Sequence, residues 1–243
     1  KYKAKGLAWM KCVNGKLDGG ISKFFPESVK KDMISELRIA DDNVLFMVGD
    51  TARTVFSSLG ALRLELGKRE NLIDTDAWAP LWVVDFPLVR WNEVNNRWDA
   101  LHHPFTSPHL DDLDKLDSDT GNVRSFGYDI VMNGYELGGG SIRIHDKDLQ
   151  AKIFTLLGIS DDDAQEKFGF LMDAFRFGAP PHGGMAFGFD RIIMLLAGSN
   201  QIRDVIAFPK TTSALSLMDN SPSPVSKEQL EELHLAVIDD SEE

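Results

Sequence analysis

Cysteine is almost absent from this sequence, and Cys12 is the only one among 243 residues. A single cysteine excludes an intramolecular disulfide and a zinc site built from thiolates, and it favours a reducing compartment. Long apolar runs are also lacking, and the opening residues KYKAKG are too polar for a signal peptide. We therefore expect a cytoplasmic protein that does not associate with a membrane.

Positive charge is the second scarcity. Lysine and arginine total 26 against 38 aspartates and glutamates, which gives a formal net charge of −12. This balance argues against a broad electropositive surface for nucleic acid. The basic residues are segregated, however, and the first 31 positions contain only two acids, Asp18 and Glu27. The lysines of that stretch are Lys1, Lys3, Lys5, Lys11, Lys16, Lys23, Lys30 and Lys31. We interpret this cluster as a solvated surface.

The first part of the chain, residues 1–66, reads as a small α+β module. Apolar spacing predicts strands at 6–13 and 44–48, an extended piece at 22–25 and a helix at 28–39. A second helix is predicted after Asp50 as its N-cap, with Gly67 as its stop. The apolar face of that helix would hold Val55, Phe56, Leu59, Leu62 and Leu66. None of these residues has the arrangement of a catalytic site.

A larger region follows over residues 67–218. The pattern predicts a strand at 81–86, a hairpin of 88–93 with 97–102, helices at 146–157 and 160–177, and a strand at 202–208. Gly158 and Gly178 are placed as left-handed stops of the two helices. The aspartate-rich stretch 109–122 lacks the spacing of a calcium-binding EF-hand loop, so we interpret its carboxylates as solvated.

Residues 219–243 form a terminal segment. Pro222 and Pro224 indicate a linker, and Ser226 with Gln229 predicts a capping box at the start of a short helix. The acidic tail 239–243 is expected to be disordered.

The stretch 183–210, GGMAFGFDRIIMLLAGSNQIRDVIAFPK, organises the larger region. It alternates like a buried strand up to Phe189 and becomes helical from Arg191 to Leu196. Arg191 would then lie in or beside the first helical turn, where free backbone N–H groups and the helix dipole favour an anion. We interpret the corner as a phosphate clamp. The alternative is an arginine that pairs with an acid at the surface.

A hairpin signal, Asn133-Gly134, is flanked by SFGYDIVM and YELGGGSIRI. If those two residues form the turn, Val131 lies opposite Glu136, and Asp129 shares the face of Val131. Two carboxylates on one face repel each other, so a cation such as Mg²⁺ that bridges phosphates would stabilise them. The alternative is that one of the two is exposed or salt-bridged.

Arg143 and the histidine pair complete the candidate residues. Arg143 lies seven positions beyond Glu136, so an unbroken strand would send it to the opposite face. A β-bulge in the run Gly138-Gly139-Gly140 would restore its parity. His102 and His103 alternate in the predicted strand, so only one of them can face a ligand. A histidine that merely caps a strand end is the competing interpretation.

Several ordered stretches resemble the class II aminoacyl-tRNA synthetases, and among them the bacterial-type aspartyl-tRNA synthetases. GMAFGFDR with its apolar helix and IRDVIAFPK resembles motif 3 of that class. The likeness continues through WAPLWVVDFP, ALHHPFTSP, NGYELGGGSIRIHD and FGAPPHGGMAFG, and back to KGLAWMK and GDTARTVFSSLGALRLELG. It spans nearly the whole chain.

The resemblance implies an α+β fold in which helices flank the antiparallel sheet of a class II synthetase. Residues 1–66 would be the closing half of a GAD insertion domain, and 67–218 the C-terminal part of the catalytic domain with motif 3. Motifs 1 and 2 and the anticodon-binding domain would precede Lys1, so we expect a fragment that is inactive by itself. A main tRNA-reading surface outside the chain would also account for its acidity.

The implied reaction is ATP-dependent activation of L-aspartate to aspartyl-adenylate, followed by transfer to the 3′ end of tRNA(Asp). The resemblance assigns Arg191, Glu136 and Arg143 to catalysis, and His102 with Arg143 to aspartate. It assigns Glu136, Gly188, Phe189, Asp190 and Arg191 to ATP, and Asp129 with Glu136 to Mg²⁺. The full-length parent is expected to be a homodimer. Whether it also charges tRNA(Asn) stays open.

Two other functions compete with this one. The chain could be a non-catalytic synthetase-like module that binds a nucleotide or a partner protein. It could also belong to an amidating, lysine-activating or asparagine-activating enzyme on the same fold, against which the insertion and Arg143 argue.

Overall fold

The computed structural model describes residues 2–238, which form two compact units that divide between Ala77 and Trp78. Over these residues, no helix combines the length and apolarity needed to cross a bilayer. The predicted acidic tail, 239–243, lies outside the described residues.

The first unit is a three-stranded antiparallel sheet in the order β2-β1-β3, with two helices. Its elements are β1 (Ala8–Val13), β2 (Lys16–Asp18), α1 (Glu27–Leu37), β3 (Val44–Met47) and α2 (Ala52–Arg69). Alternation along β1 buries Met10 and Cys12, which pack with Leu17 of β2 and the apolar side of α1. This small core lies where the predicted strand at 6–13 meets the predicted helix at 28–39.

Four local predictions in this unit are wrong. Ser22–Phe24 is a turn of 3₁₀ helix rather than an extended piece. Helix α2 has Thr51 as its N-cap residue, because the Asp50 carboxylate accepts a hydrogen bond from the Thr51 N–H outside the helix. The helix also continues past Gly67, and Phe56 is 75% exposed instead of buried.

The second unit contains a four-stranded antiparallel sheet in the order β4-β7-β8-β9 and a separate hairpin, β5-β6. The strands are β4 (Pro80–Val83), β5 (Val89–Asn92), β6 (Arg97–Ala100), β7 (Gly127–Met132), β8 (Tyr135–Ile142) and β9 (Gly183–Phe187). The helices are α3 (Lys115–Ser118), α4 (Lys147–Leu156), α5 (Asp161–Phe175), α6 (Phe189–Leu196) and α7 (Lys227–Glu232). Helices and an antiparallel sheet together confirm the predicted α+β class.

The core of this unit lies beside the sheet. Its buried residues are Leu88, Val89, Leu116, Val123, Ile144, Ile153 and Leu157. The extended segment 105–109 passes next to this core and pairs on both sides, because isolated bridges join Thr106 to Arg143 and Pro108 to Ser125. These two bridges hold the segment before the aspartate-rich stretch next to the start of β7 and the end of β8.

Several turn and cap predictions are confirmed. Asn133 and Gly134 both have positive φ and join β7 to β8. Gly158 and Gly178 are left-handed after α4 and α5, and Ser226 with Gln229 forms the capping box of α7. The strand predicted at 202–208 is wrong, since Ile202–Asp204 is a 3₁₀ turn. Apolar composition alone predicted it, and no neighbouring strand in the described sheet pairs with it.

The aspartate-rich stretch is not uniformly solvated, which corrects our interpretation. The Asp112 side chain is 1% exposed, and its carboxylate accepts hydrogen bonds from the Arg124 backbone N–H, the Arg124 guanidinium and the Lys115 ammonium. The Arg124 guanidinium, followed by Lys115, holds the pKa of Asp112 well below its usual range. This carboxylate fastens the 109–122 connection to the segment that leads into β7.

We predict that Asp112→Asn lowers the Tm of the chain by several degrees at pH 7, because the variant leaves Arg124 and Lys115 without their shared anion. A depressed pKa stabilises the folded state above the unfolded value and loses that contribution as pH falls. The gap to wild type should therefore shrink below about pH 4 in thermal melts. Asp114→Asn, an exposed change in the same stretch, is the control, and an equal effect of both variants would contradict the prediction.

Candidate functional site

The β7–β8 hairpin places two carboxylates on one face of the sheet. Val131 pairs with Glu136 and Asp129 with Gly139, so Asp129 shares the face of Val131 and Glu136, as the turn predicts. Both acids line the same cavity of about 360 Å³. The geometry of the β7–β8 hairpin is thus enough to bring the two carboxylates to one face of the sheet.

The β-bulge that restores the parity of Arg143 lies one residue before the predicted place. Ile130 pairs with Gly138 and Val131 with Glu136, which leaves Leu137 as the extra residue of β8. Gly139 pairs with Asp129, and Arg143 lies four residues beyond Gly139, an even number. Arg143 is therefore on the same face of the sheet as Asp129.

The run Gly138-Gly139-Gly140 does not contain the extra residue of the bulge, but it leaves space for neighbouring groups. A Cβ at Gly139 would collide with the Asp129 carboxylate. A Cβ at Gly138 or Gly140 would collide with backbone carbonyls of β9. Side chains at these positions would therefore displace either the carboxylate or the neighbouring strand.

The strand-to-helix corner brings Arg191 to this face. Strand β9 ends at Phe187 and α6 begins at Phe189, two residues before the predicted helix, which makes Arg191 the third helical residue. Its Nη1 donates to the Glu136 backbone carbonyl at 2.8 Å and lies 3.7 Å from Glu136 Oε1. The pairing with an acid, which was the alternative interpretation, is observed, and Arg191 lies in the first helical turn as predicted; the phosphate clamp stays a prediction.

His102 and His103 diverge just beyond the end of β6. The His102 ring contacts Phe86 at a centroid distance of 4.9 Å, and its Nε2 lies 3.6 Å from Asp129 Oδ1. His103 Nδ1 accepts a hydrogen bond from the Phe105 N–H at 3.3 Å. Burial, with the nearby Arg143 charge, lowers the pKa of His103, so the neutral form of this imidazole is favoured.

The cavity gathers most of the predicted site residues. His102, Asp129, Glu136, Gly188 and Arg191 line it, together with Leu137, Gly138, Gly139, Ala186 and Phe187. Arg143, Phe189 and Asp190 are not among its lining residues. Ala186 and Phe187 were missed by the sequence reasoning, although they are the last two residues of β9 and directly precede Gly188.

Arg143 carries an unpaired donor. Its Nη1 is buried and has no hydrogen-bond partner among the described residues. A buried guanidinium nitrogen without an acceptor is costly, and this one can donate to an acceptor that is not part of the chain. The backbone N–H of Gly188, unlike Nη1 of Arg143, already has a partner, because it donates to the Leu137 carbonyl at 2.7 Å.

The surroundings of the Asp129 carboxyl in the cavity disfavour its charged form. Burial raises the pKa of the Asp129 carboxyl, His102 opposes the rise and Glu136 adds to it. No cluster of three or more histidine, cysteine or carboxylate ligands is found within residues 2–238. Mg²⁺ suits such a place, because it binds through one or two carboxylates and completes its shell with water and phosphate oxygens.

Known proteins match this chain over most of its length. The family model for tRNA synthetases class II (D, K and N) matches residues 13–212. An aspartate–tRNA ligase of Halalkalibacterium halodurans is 52% identical over 98% of this chain and 40% of that protein. One of Staphylococcus carnosus is 54% identical over 97% and 40%. An aspartate–tRNA(Asp/Asn) ligase of Anoxybacillus flavithermus is 51% identical over 98% and 40%.

Among solved structures, an aspartyl tRNA synthetase of Entamoeba histolytica matches with 26% identity and a TM-score of 0.44, covering 76% of this chain and 31% of that one. The chain spans about 40% of the length of the curated relatives named above.

We predict that Asp129→Asn raises the Tm of the metal-free chain at pH 7 by about 1–3 °C. A carboxyl with a raised folded pKa costs stability once pH exceeds its unfolded value of about 3.9, and the amide removes that cost. The gain should therefore appear as pH rises and vanish near pH 3 in thermal melts. Glu93→Gln, on the exposed turn of the β5–β6 hairpin, is the control. A variant less stable than wild type at pH 7 would refute the assignment of an uncompensated carboxylate.

Proposed function

We propose that this chain, which belongs to the tRNA synthetase class II (D, K and N) family, is part of an aspartate–tRNA ligase. The observation that carries the proposal is the convergence of Asp129, Glu136 and Arg191 on one cavity, with a buried unpaired donor of Arg143 on the same face of the sheet. Relatives at 51–54% identity that are named as such ligases support it. Catalysis belongs to the longer protein, since the chain spans about 40% of theirs.

The proposed reaction has two steps. An oxygen of the aspartate α-carboxylate attacks the α-phosphorus of ATP, and pyrophosphate leaves as the bond to its bridging oxygen breaks. A hydroxyl of the 3′-terminal adenosine of tRNA(Asp) then attacks the activated carbonyl, loses its proton, and AMP leaves. No enzyme nucleophile is needed, so the protein contributes positioning and charge stabilisation.

ATP is assigned to the strand-to-helix corner. Arg191 presents a guanidinium next to the N–H groups that open α6, and both attract phosphate oxygens. Its pairing with the Glu136 carbonyl and carboxylate fixes the side chain before the nucleotide arrives. Phe189 is 72% exposed and follows Gly188 directly, which suits a flat contact with the nucleotide near Asp190.

Asp129 and Glu136 are the proposed holders of Mg²⁺. The ion would supply positive charge to the triphosphate and compensate the two acids on one face. Burial of Asp129 and its repulsion by Glu136 support this assignment. Because Gly139 has no side chain, the Asp129 carboxylate can occupy the space that a Cβ at position 139 would fill.

Aspartate is assigned to Arg143 and His102. A guanidinium that donates two parallel hydrogen bonds fits a side-chain carboxylate, whereas the amide of asparagine would leave donors facing donors. The unpaired Nη1 of Arg143 supports this role. His102 stands between that end of the face and Asp129, within 3.6 Å of the carboxylate.

The remaining assignments concern the longer protein. We propose that residues 1–66 belong to a GAD insertion domain, that 67–218 complete a class II catalytic domain, and that 219–243 are a linker with a short helix. The full-length parent would bind L-aspartate, ATP and tRNA(Asp) as a cytoplasmic homodimer. Relatives named aspartate–tRNA ligase and aspartate–tRNA(Asp/Asn) ligase match at 52% and 51% identity, so the tRNA range is not assigned.

We predict that Arg191→Ala in the full-length parent lowers kcat/KM for ATP by about 100-fold or more in aspartate-dependent ATP–pyrophosphate exchange, since a phosphate counter-charge is lost. Arg203→Ala, an exposed arginine after α6, is the control. Unchanged exchange and aminoacylation would instead favour the non-catalytic binding module.

We predict that Arg143→Ala lowers kcat/KM for aspartate by about 1,000-fold or more and changes KM for ATP little, because the carboxylate loses its bidentate partner. Exchange with aspartate and with asparagine should be compared in the same preparation. Preserved discrimination would contradict the assignment, and exchange driven by lysine or asparagine in the wild type would favour the rival activating enzymes.

We predict that the isolated chain gives ATP–pyrophosphate exchange at background. Arg191 is the only arginine among the described residues that line the cavity, and two carboxylates face it there. Even with Mg²⁺ held by the two acids, one guanidinium leaves the triphosphate short of positive charge. Robust aspartate-dependent exchange by the purified chain would overturn the argument that the activity requires the longer protein.

A further inference from the structure

His182 lies next to the proposed aspartate site without a role so far. It directly precedes β9, and its carbonyl accepts a hydrogen bond from the Arg143 N–H at 2.9 Å. The β8–β9 register pairs Ile142 with Gly183, so one further step pairs Arg143 with His182. Directly paired residues of an antiparallel sheet share a face, which puts His182 on the same side as Arg143.

The same face carries the acidic pair farther along the sheet. Asp129 pairs with Gly139, and Gly139 pairs with Ala186 of β9. Ala186 lies four residues beyond His182, so about 13 Å of strand separates the two ends of this face. The acidic end faces the corner at Arg191, and the other end carries Arg143 and His182.

Hydrogen bonding fixes the tautomer of this imidazole. His182 Nδ1 lies 2.8 Å from the Pro180 carbonyl oxygen. A carbonyl only accepts, so Nδ1 carries the hydrogen and Nε2 keeps its lone pair in the neutral ring. The ring is exposed, and no residue within 2–238 is recorded as a hydrogen-bond partner of Nε2. The loop therefore presents an oriented acceptor to solvent beside Arg143.

We propose that His182 is a further substrate-binding residue of the proposed ligase, whose Nε2 accepts a hydrogen bond from an N–H or O–H group of a substrate bound beside Arg143. Arg143 offers donors only, so a ligand that also carries a donor needs an acceptor next to it. Two groups have that chemistry: the α-ammonium of aspartate and a ribose hydroxyl of the terminal adenosine. This inference rests on the proposed function.

A purely structural role is the competing account, in which the bond from Nδ1 to Pro180 only stiffens the loop. Two conservative variants separate the two ring nitrogens. His182→Asn keeps a donor near Nδ1 and removes the acceptor at Nε2. His182→Gln reaches the Nε2 position with an amide and gives up the bond to Pro180.

The test uses the full-length parent with His182→Ala, His182→Asn and His182→Gln, and His145→Ala as an exposed histidine control. We measure KM for aspartate and for ATP in exchange, transfer from preformed aspartyl-adenylate to tRNA, and Tm. The prediction is that His182→Asn keeps the wild-type Tm and KM for ATP but weakens one substrate step by about 10-fold or more, and that His182→Gln restores part of it.

The affected step identifies the donor. A raised KM for aspartate supports the α-ammonium, and slowed transfer with unchanged exchange supports the ribose hydroxyl. Wild-type kinetics for His182→Asn, or losses that follow Tm in all variants, overturn the inference and leave the proposed function intact. A wild-type parent without aspartate-dependent exchange overturns both.

Discussion

The burial of the Asp129 carboxylate, on the same face as Glu136, is the constraint on which the candidate site depends. The hairpin turn places both on one face, and burial of Asp129 makes its charge expensive. Arg191 reaches Glu136 from the start of α6 and offsets part of this charge. In the proposed function, a further cation compensates the negative charge that Arg191 leaves on this face.

Two aspartates in the same unit show how surroundings decide the state of a carboxylate. Asp112 is buried, yet Arg124 and Lys115 bond to its oxygens, and its pKa falls. Asp129 is 16% exposed, its neighbours are His102 and Glu136, and its pKa rises. The first carboxylate is neutralised by two basic side chains, whereas the second is partly buried with a raised pKa, which is why we propose it as a cation ligand.

Local chemistry predicted the features that need only a few neighbouring residues. The Asn133-Gly134 turn determined the register of β7 and β8, and that register placed Asp129 and Glu136 correctly. The place of the bulge was not determined, because any extra residue between Glu136 and Arg143 restores the same parity. Arg191 was placed in the first turn of its helix, although the helix begins two residues earlier than its apolar run indicated.

Long-range partners explain the remaining errors. Asp112 resembled its neighbours in sequence, and only the approach of Arg124, twelve residues away, sets it apart. Residues 202–208 have the composition of a strand, but a strand also needs a partner. The choice between His102 and His103 came from family resemblance, and the alternation argument fails for them because β6 ends at Ala100, two residues before its predicted end.

The most direct test is a double-mutant cycle of Asp129→Asn and Glu136→Gln in the full-length parent, read as the Kd of ATP with and without Mg²⁺. If the two acids hold one ion, the double variant binds ATP no more weakly than the worse single variant when Mg²⁺ is present, and the coupling disappears when Mg²⁺ is removed. Strictly additive effects, or coupling that persists without Mg²⁺, would contradict a shared cation between these carboxylates.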